Sequence, residues 1–298
     1  MTGGDAIQVV VCAGGLGTRV AGWSRYIPKE FYPVGGRPGI AHLLDEIARS
    51  GLADVVIVCH QYYAAFTAWA RTSLSHDGHD RYVRAARLTT PASDAGGLTV
   101  SFIAQRGSYA DLTSVLDGAD HLAARGDLYV AFADNLYPGA SPLTELREAP
   151  PGQPAVLGRA YQRELAASHG VLAVTSDHGE LLVQELAEKP GPADVTRLEQ
   201  RYGTSGLLLL EGRARLTAGF IRFARRYRAP AGTEPKLALA LGRLRPRSPG
   251  HDKESADEAV PTKSPHQLAP PATCTPQFRA CLRWSRAVLE SSHDRTRT

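Results

Sequence analysis

The segment AGGLGTR, Ala13 to Arg19, follows directly on a hydrophobic run, and its composition suits one kind of chemistry. Glycines lack a Cβ and tolerate positive φ, so their backbone N–H groups can close around an anion such as a phosphate. Arg19 closes the loop, and Lys29 follows ten residues later, after Pro28, within IPKEFYPVGGRP. Two other nucleotide loops fit poorly. GxxxxGK[ST] needs a lysine inside the loop, and none is there; GxGxxG begins at Gly15 and Gly17 but meets Val20 where its third glycine belongs. The ribose-binding acid that accompanies GxGxxG is also missing at the end of the second hydrophobic run, where Cys59 and His60 stand. On the glycines alone, a structural turn explains the loop equally well. Asp134, in FADNLYPG, ends the fourth hydrophobic run, as either a ligand-facing carboxylate or the first residue of an Asx-turn. Glu188, Lys189 and Pro190 follow a later run.

These side chains need elements to position them. IQVVVCA (7–13) is β-branched and continuously apolar, as a strand covered on both faces should be. Ile40, Leu43, Leu44 and Ile47 then form one apolar helical stripe ending at Gly51. Strand ADVVIVC (53–59), helix YYAAFTAWA, strand LTVSFIA (98–104), helix DLTSVLDGADHLA with Asp111 as N-cap, and strand DLYVAFA (127–133) continue the alternation. The pattern predicts an α/β fold: a Rossmann-like, doubly wound, mostly parallel sheet with helices on both faces. Ligands of such sheets bind at the carboxyl ends of the strands, where the glycine loop and Asp134 fall.

Beyond residue 150 the reading is less regular. PAVLGRAY, GVLAVTS, LLVQELAE and SGLLLLE read as strands, some of them antiparallel, and ARLTAGFIRFARRYRA and PKLALALGRL as helices. From Arg245 the composition turns to Pro, Ser and charge without periodicity, so residues 1–244 are read as one domain and 245–298 as a disordered tail with a short helix in FRACLRWSRAVLE. No internal repeat stands out.

Bulk properties narrow the function. Of 298 residues, 43% are hydrophobic and 21% charged, the balance of an ordinary soluble globular protein of enzyme size. A net charge of +4 falls short of a nucleic-acid-binding face. No window is apolar for long enough to span a bilayer, and the first apolar run is preceded by Asp5 rather than by positive charge, unlike a signal peptide. The four cysteines form no CxxC pair, which points to a reducing cytoplasm. HDGHD (76–80) reads as a polar loop, and IRFARRYR (221–228) as a solvated basic helix face.

Taken whole, GGxGTR followed by PKExxP resembles the signature of sugar-phosphate nucleotidyltransferases, and PKEFYPV looks most like the bacterial UTP–glucose-1-phosphate uridylyltransferase branch. The resemblance extends from the N-terminus to about Leu244. It implies attack by a sugar 1-phosphate oxygen on the α-phosphorus of a nucleoside triphosphate, with pyrophosphate leaving. The obstacle is repulsion between anions: each unit-charge pair at ~4 Å costs about 1 kcal/mol in water and roughly 4 at an effective dielectric near 20. No side-chain nucleophile is needed; positioning and fixed positive charge do the work.

By the same resemblance, Ala13, Gly14, Gly15, Gly17 and Thr18 bind the nucleotide, Arg19 neutralises the departing pyrophosphate, and Lys29 holds the α-phosphate. Asp134 matches the strand-end aspartate that binds Mg²⁺, a hard oxygen ligand suited to an ion held mainly by phosphates and water. Glu188 would contact a sugar hydroxyl, Lys189 the sugar phosphate, and Gly170, in SHGVLAV, would line the sugar pocket. The match departs from the family in two places. Gln105 stands where a base-contacting glutamine is expected, but the turn after it reads RGSYADLTSV instead of a glycine-rich GLGHA. GTEPKLALAL resembles GGEIQLTDAL, yet no second metal-binding aspartate follows. The implied partners are a nucleoside triphosphate and a sugar 1-phosphate, without nucleic acid or membrane; self-association into a homo-oligomer is left open. The alternative is a degenerate, non-catalytic module that binds a nucleotide or sugar nucleotide to regulate a partner.

Overall fold

The computed structural model of the chain describes residues 7–18, 21–73, 98–107, 109–137, 141–177, 180–244 and 280–283. β1 (Gln8–Ala13) is followed by a short helix, α1 (Ala21–Ser24), a 3-10 turn (Lys29–Phe31) and the small hairpin β2 (Pro33–Val34) and β3 (Arg37–Pro38). Then come α2 (Gly39–Arg49), β4 (Asp54–Cys59), α3 (Ala64–Ser73), β5 (Thr99–Ala104), α4 (Asp111–His121), β6 (Leu128–Phe132) and α5 (Pro142–Glu148). The later elements are β7 (Ala155–Ala160), β8 (Gly170–Asp177), β9 (Glu180–Glu188), α6 (Pro192–Tyr202), β10 (Leu207–Leu216), α7 (Ala218–Arg226), α8 (Leu237–Leu241) and β11 (Ala280–Arg283).

Among the described residues nine strands form one sheet in the order β5-β4-β1-β6-β10-β7-β11-β9-β8. The first four are parallel, with Gln8 opposite both Asp54 and Leu128. Chain order runs outward from β1 through β4 to β5 and then jumps back to β6 on the other side of β1. That reversal opens a crevice at the carboxyl ends of β1 and β6, where doubly wound sheets bind ligands.

β1 shows why a continuous β-branched run belongs in the middle of the sheet. Val10 and Cys12 pack with Leu112 and Val115 of α4 and with Phe220 and Ile221 of α7. Val9 and Val11 join the opposite cluster, with Leu43 and Ile47 of α2 and Leu143 and Leu146 of α5. Helices therefore cover both faces, as the alternation predicts. Burying a side chain of this size stabilises by about 1.5–3 kcal/mol, so the two faces together hold β1 firmly in place.

Three local readings are corrected. The helix predicted over ARLTAGFIRFARRYRA begins only at Ala218: β10 runs on to Leu216, antiparallel to β6 and β7, and Thr217 caps α7 by accepting from Phe220 N at 3.2 Å. Asp111 is not the cap of its own helix, whose N-cap is Ala110; its carboxylate accepts from Leu237 N at 2.6 Å, at the start of α8. The short helix predicted in FRACLRWSRAVLE is replaced at Ala280–Arg283 by β11, paired antiparallel with β7 and parallel with β9. Ladder partners on both sides outweigh the local helical pattern. The remainder of 245–298, and HDGHD, lie outside the described residues. Among the described residues no helix is long and apolar enough to cross a membrane.

Candidate active site

The crevice is lined from four directions. Cys12, Gly14 and Gly15 come from the end of β1, Lys29 and Glu30 from the 3-10 turn, Phe132 and Asp134 from the end of β6. Tyr109, Asp111 and Ser114 close it from the start of α4. The glycine loop, Lys29 and Asp134, far apart in sequence, share one hollow.

Lys29 is fixed there by two carboxylates. Its Nζ lies 2.8 Å from Asp134 Oδ2 and 2.9 Å from Glu30 Oε1. Burial alone would lower the lysine pKa, but Glu30 and Asp134 outweigh it and hold the ammonium above its ordinary value. Glu30 is only 4% exposed, and its Oε2 has no hydrogen-bond partner among the described residues. Burial pushes its carboxyl upward against the pull of Lys29.

The glycines make room for these contacts. A Cβ on Gly15 would stand 3.0 Å from Lys29 Cε, and one on Gly14 would stand 2.8 Å from Tyr109 Cε2. Gly17 takes φ +59°, the left-handed region, and its carbonyl accepts from Ser24 Oγ at 3.0 Å. Ala13 is fully buried beneath the loop and Thr18 is exposed at its tip. Arg19 lies outside the described residues.

Gln105 sits behind the loop instead of lining the hollow. It is 3% exposed; its amide donates to Ala110 O at 3.1 Å and accepts from Ser114 Oγ at 3.1 Å. A Cβ on Gly14 would be 3.3 Å from its Oε1, so Gln105 backs the glycine loop directly.

Gly170 and Glu188 pair across β8 and β9. Glu188 Oε1 bonds Lys236 Nζ at 3.1 Å, and a Cβ on Gly170 would lie 3.4 Å from Glu188 Oε2. Lys189 is exposed, with φ +48° and its N–H on His169 O at 3.2 Å. A strap joins this group to the crevice: Pro235 O accepts from Leu112 N, Lys236 holds Glu188, and Leu237 N donates to Asp111. Asp111 is raised to about 6, chiefly by burial and further by the charge of Glu188.

The sequence pattern assigns no role to Glu30, Tyr109 or Ser114, and only a capping role to Asp111. Burial raises the Tyr109 phenol to about 12, so it stays a neutral donor at the rim. Cys12 is also driven well up, first by burial and then by Asp111 and Asp134, which leaves a neutral thiol. Among the described residues no three His, Cys, Asp or Glu side chains gather as a metal cage. The donor set that is present, the half-exposed Asp134 carboxylate beside the hollow, fits an ion completed by phosphate oxygens and water.

Comparison with known proteins bears on the family and the fold. A family model described as nucleotidyl transferase matches residues 8–216. UTP–glucose-1-phosphate uridylyltransferase 2 of Staphylococcus saprophyticus is 34% identical over 58 residues, 20% of this chain and 20% of that protein. A glucose-1-phosphate thymidylyltransferase of Neisseria gonorrhoeae is 23% identical over 230 residues, covering 77% of this chain and 68% of the relative. The first three uridylyltransferase relatives are matched over only 25%, 20% and 20% of their own lengths. Among solved structures, a UDP-glucose pyrophosphorylase complexed with UDP-glucose superposes with a TM-score of 0.61 at 19% identity, covering 80% of this chain and 86% of that one; at that identity the likeness speaks to the fold. With the family model spanning β1 to the end of β10, and so the whole crevice, the chain belongs to the nucleotidyl transferase family.

Proposed function

We propose that the crevice transfers a nucleotidyl group from a nucleoside triphosphate to a sugar 1-phosphate, releasing pyrophosphate, with UTP and glucose 1-phosphate the favoured pair. One observation carries the reading: Lys29 and Asp134 meet at 2.8 Å over the glycine loop, at the strand reversal of the sheet. A cation and a carboxylate side by side are what a phosphate and its divalent ion require.

The backbone of Gly14 to Gly17 cradles the triphosphate, and Lys29 takes the α-phosphate as charge builds during transfer. Arg19 stabilises the leaving pyrophosphate. Glu30, buried beneath Lys29, keeps the ammonium aimed when Asp134 turns to other partners. Glu188, Lys189 and Gly170 receive the sugar 1-phosphate, and Gln105 stiffens the wall on which the base rests. Asp134, with phosphate oxygens and water, would hold Mg²⁺, which would supply charge neutralisation. The attacking oxygen is already anionic, so no general base is assigned.

The favoured nucleotide and sugar follow from PKEFYPV and from the uridylyltransferase relatives, which match only in part. The test is pyrophosphate release from four nucleoside triphosphates against a panel of sugar 1-phosphates with Mg²⁺. Turnover should be greatest with UTP and glucose 1-phosphate, and should collapse in Lys29→Ala and Asp134→Ala. The lack of a second metal-binding aspartate after GTEPKLALAL in the sequence favours a second reading, a nucleotide-binding regulatory module. Calorimetric binding without turnover anywhere on the panel would select it.

A further inference from the structure

The turn that carries Asp134 is held from below by three consecutive residues of a neighbouring strand. β10 pairs with β7 through Leu210↔Gly158 and then Ala214↔Val156, so two extra residues are accommodated on β10 between those pairs. Such bulges re-aim side chains beside functional sites. Here Glu211, Gly212 and Arg213 all engage the segment from Phe132 to Tyr137.

Arg213 is 1% exposed and uses its whole fork. Nε and Nη2 donate to Glu46 of α2 at 3.0 and 2.7 Å, Nη1 to Phe132 O and Gly212 O at 3.1 and 2.8 Å, and Nη2 also to Asn135 O at 2.9 Å. That accounts for all five N–H groups of a guanidinium. Two of the accepting carbonyls flank Asp134, and the guanidinium also stacks 4.8 Å over the Tyr137 ring. Gly212 contributes through what it lacks. A Cβ there would overlap the amide of Asn135 and stand 3.1 Å from its Cβ, while Gly212 N donates to Tyr137 Oη at 3.2 Å. Tyr137 in turn donates to Glu211 Oε2 at 2.7 Å.

We propose that Arg213 and Gly212 are positioning residues for divalent-ion binding: without touching substrate, they set where the Asp134 carboxylate points and so how tightly the site takes a metal–phosphate ligand. A planar fork with five donors fixes both carbonyls at once, which a lysine with three rotating donors cannot do. The inference rests on Asp134 being the metal ligand of the proposed reaction.

Inorganic pyrophosphate serves as a probe that needs no choice of base or sugar. Its affinity is measured by calorimetry on the full chain, with Mn²⁺ and with EDTA, in wild type, Asp134→Asn, Arg213→Lys, Gly212→Ala and Gly212→Ala/Asn135→Gly. The readout is the Mn²⁺-dependent gain. Wild type should show a clear gain and Asp134→Asn almost none, with Gly212→Ala and Arg213→Lys each losing about tenfold, the usual scale for groups that orient a metal ligand. Removing the Asn135 side chain should restore the gain to Gly212→Ala, a rescue that general loosening of the fold would not give. If Asp134→Asn loses the gain while Gly212→Ala keeps it at an unchanged melting temperature, the positioning role is overturned. Equal gains in wild type and Asp134→Asn would instead sink the reading of Asp134 as the ligand. Should Arg213→Lys fail to fold, Gly212→Ala and its rescue decide, because neither leaves a buried charge unpaired.

Discussion

Lys29 Nζ lies 2.8 Å from Asp134 Oδ2, so the cation and the carboxylate that face the hollow neutralise each other while no ligand is bound. Both are partly open to water, 22% and 55% exposed, and such a pair is worth about 1 kcal/mol or less. The bridge is therefore a light latch, and any ligand that brings its own metal can exchange it. Asp134→Asn should strengthen metal-free pyrophosphate binding about 2- to 5-fold by releasing Lys29, while abolishing turnover. Calorimetry in EDTA checks it; weaker metal-free binding in the variant would show that Asp134 does not restrain the lysine.

Gly15 meets Lys29 at the same place. A methyl there would stand 3.0 Å from Lys29 Cε and 3.6 Å from Nζ, so the ammonium must move aside. The displaced atoms are the end of a flexible side chain, and the fold should tolerate the change. Gly15→Ala should lower kcat by about 10- to 100-fold, since misplacement by roughly 1 Å costs that much, with the melting temperature almost unaltered. A variant as active as wild type would remove Lys29 from the chemistry.

What was legible in the sequence is what is local. The Val-Val-Val of β1, the glycines after it and the spacing to Lys29 lie within one stretch of chain, and the alternation of runs gives the parallel half of the sheet. Asp111, Tyr109 and Glu30 gained meaning only through the strand reversal, which brings the start of α4 against a loop some ninety residues earlier. Arg213 and Arg215 are a further case. The sequence places a strand at SGLLLLE and a helix from Ala214, yet β10 runs through both arginines, and both are buried, Arg213 on Glu46 and Arg215 on carbonyls at the end of α5 (Leu146 and Ala149). Partners that far away leave no mark on local periodicity.

Asp111 makes stability depend on pH. Burial holds its carboxyl at about 6 against an ordinary 3.8, with Glu188 adding to the rise and Leu237 N–H and Lys236 opposing it. Below about pH 4 the group is neutral in both folded and unfolded chains. Between that and pH 6 the folded chain keeps a proton the unfolded chain gives up, so this stabilisation is lost as pH rises through 6. Asp111→Asn, which can still accept from Leu237 N–H, should be more stable than wild type by ~2 kcal/mol at pH 7.5, and the difference should vanish near pH 4. Denaturant melts at both pH values check this; a difference independent of pH would remove Asp111 as its source.

β11 makes a prediction about the chain beyond residue 244. Ala280–Arg283 pairs with β7 on one side and β9 on the other, inside the sheet and not at its rim. Deleting residues 245–298 would expose the ladder groups of two strands at once, and unpaired strand edges invite association between chains. The truncated protein should melt at a lower temperature and form oligomers or aggregates in size-exclusion chromatography, while adding back a peptide spanning 275–287 should partly restore both. The crevice itself draws no described residue from the tail, so nucleotide binding per folded molecule should persist. A truncation with the full chain's melting temperature and a monodisperse profile would mean that β11 contributes nothing to the sheet's stability.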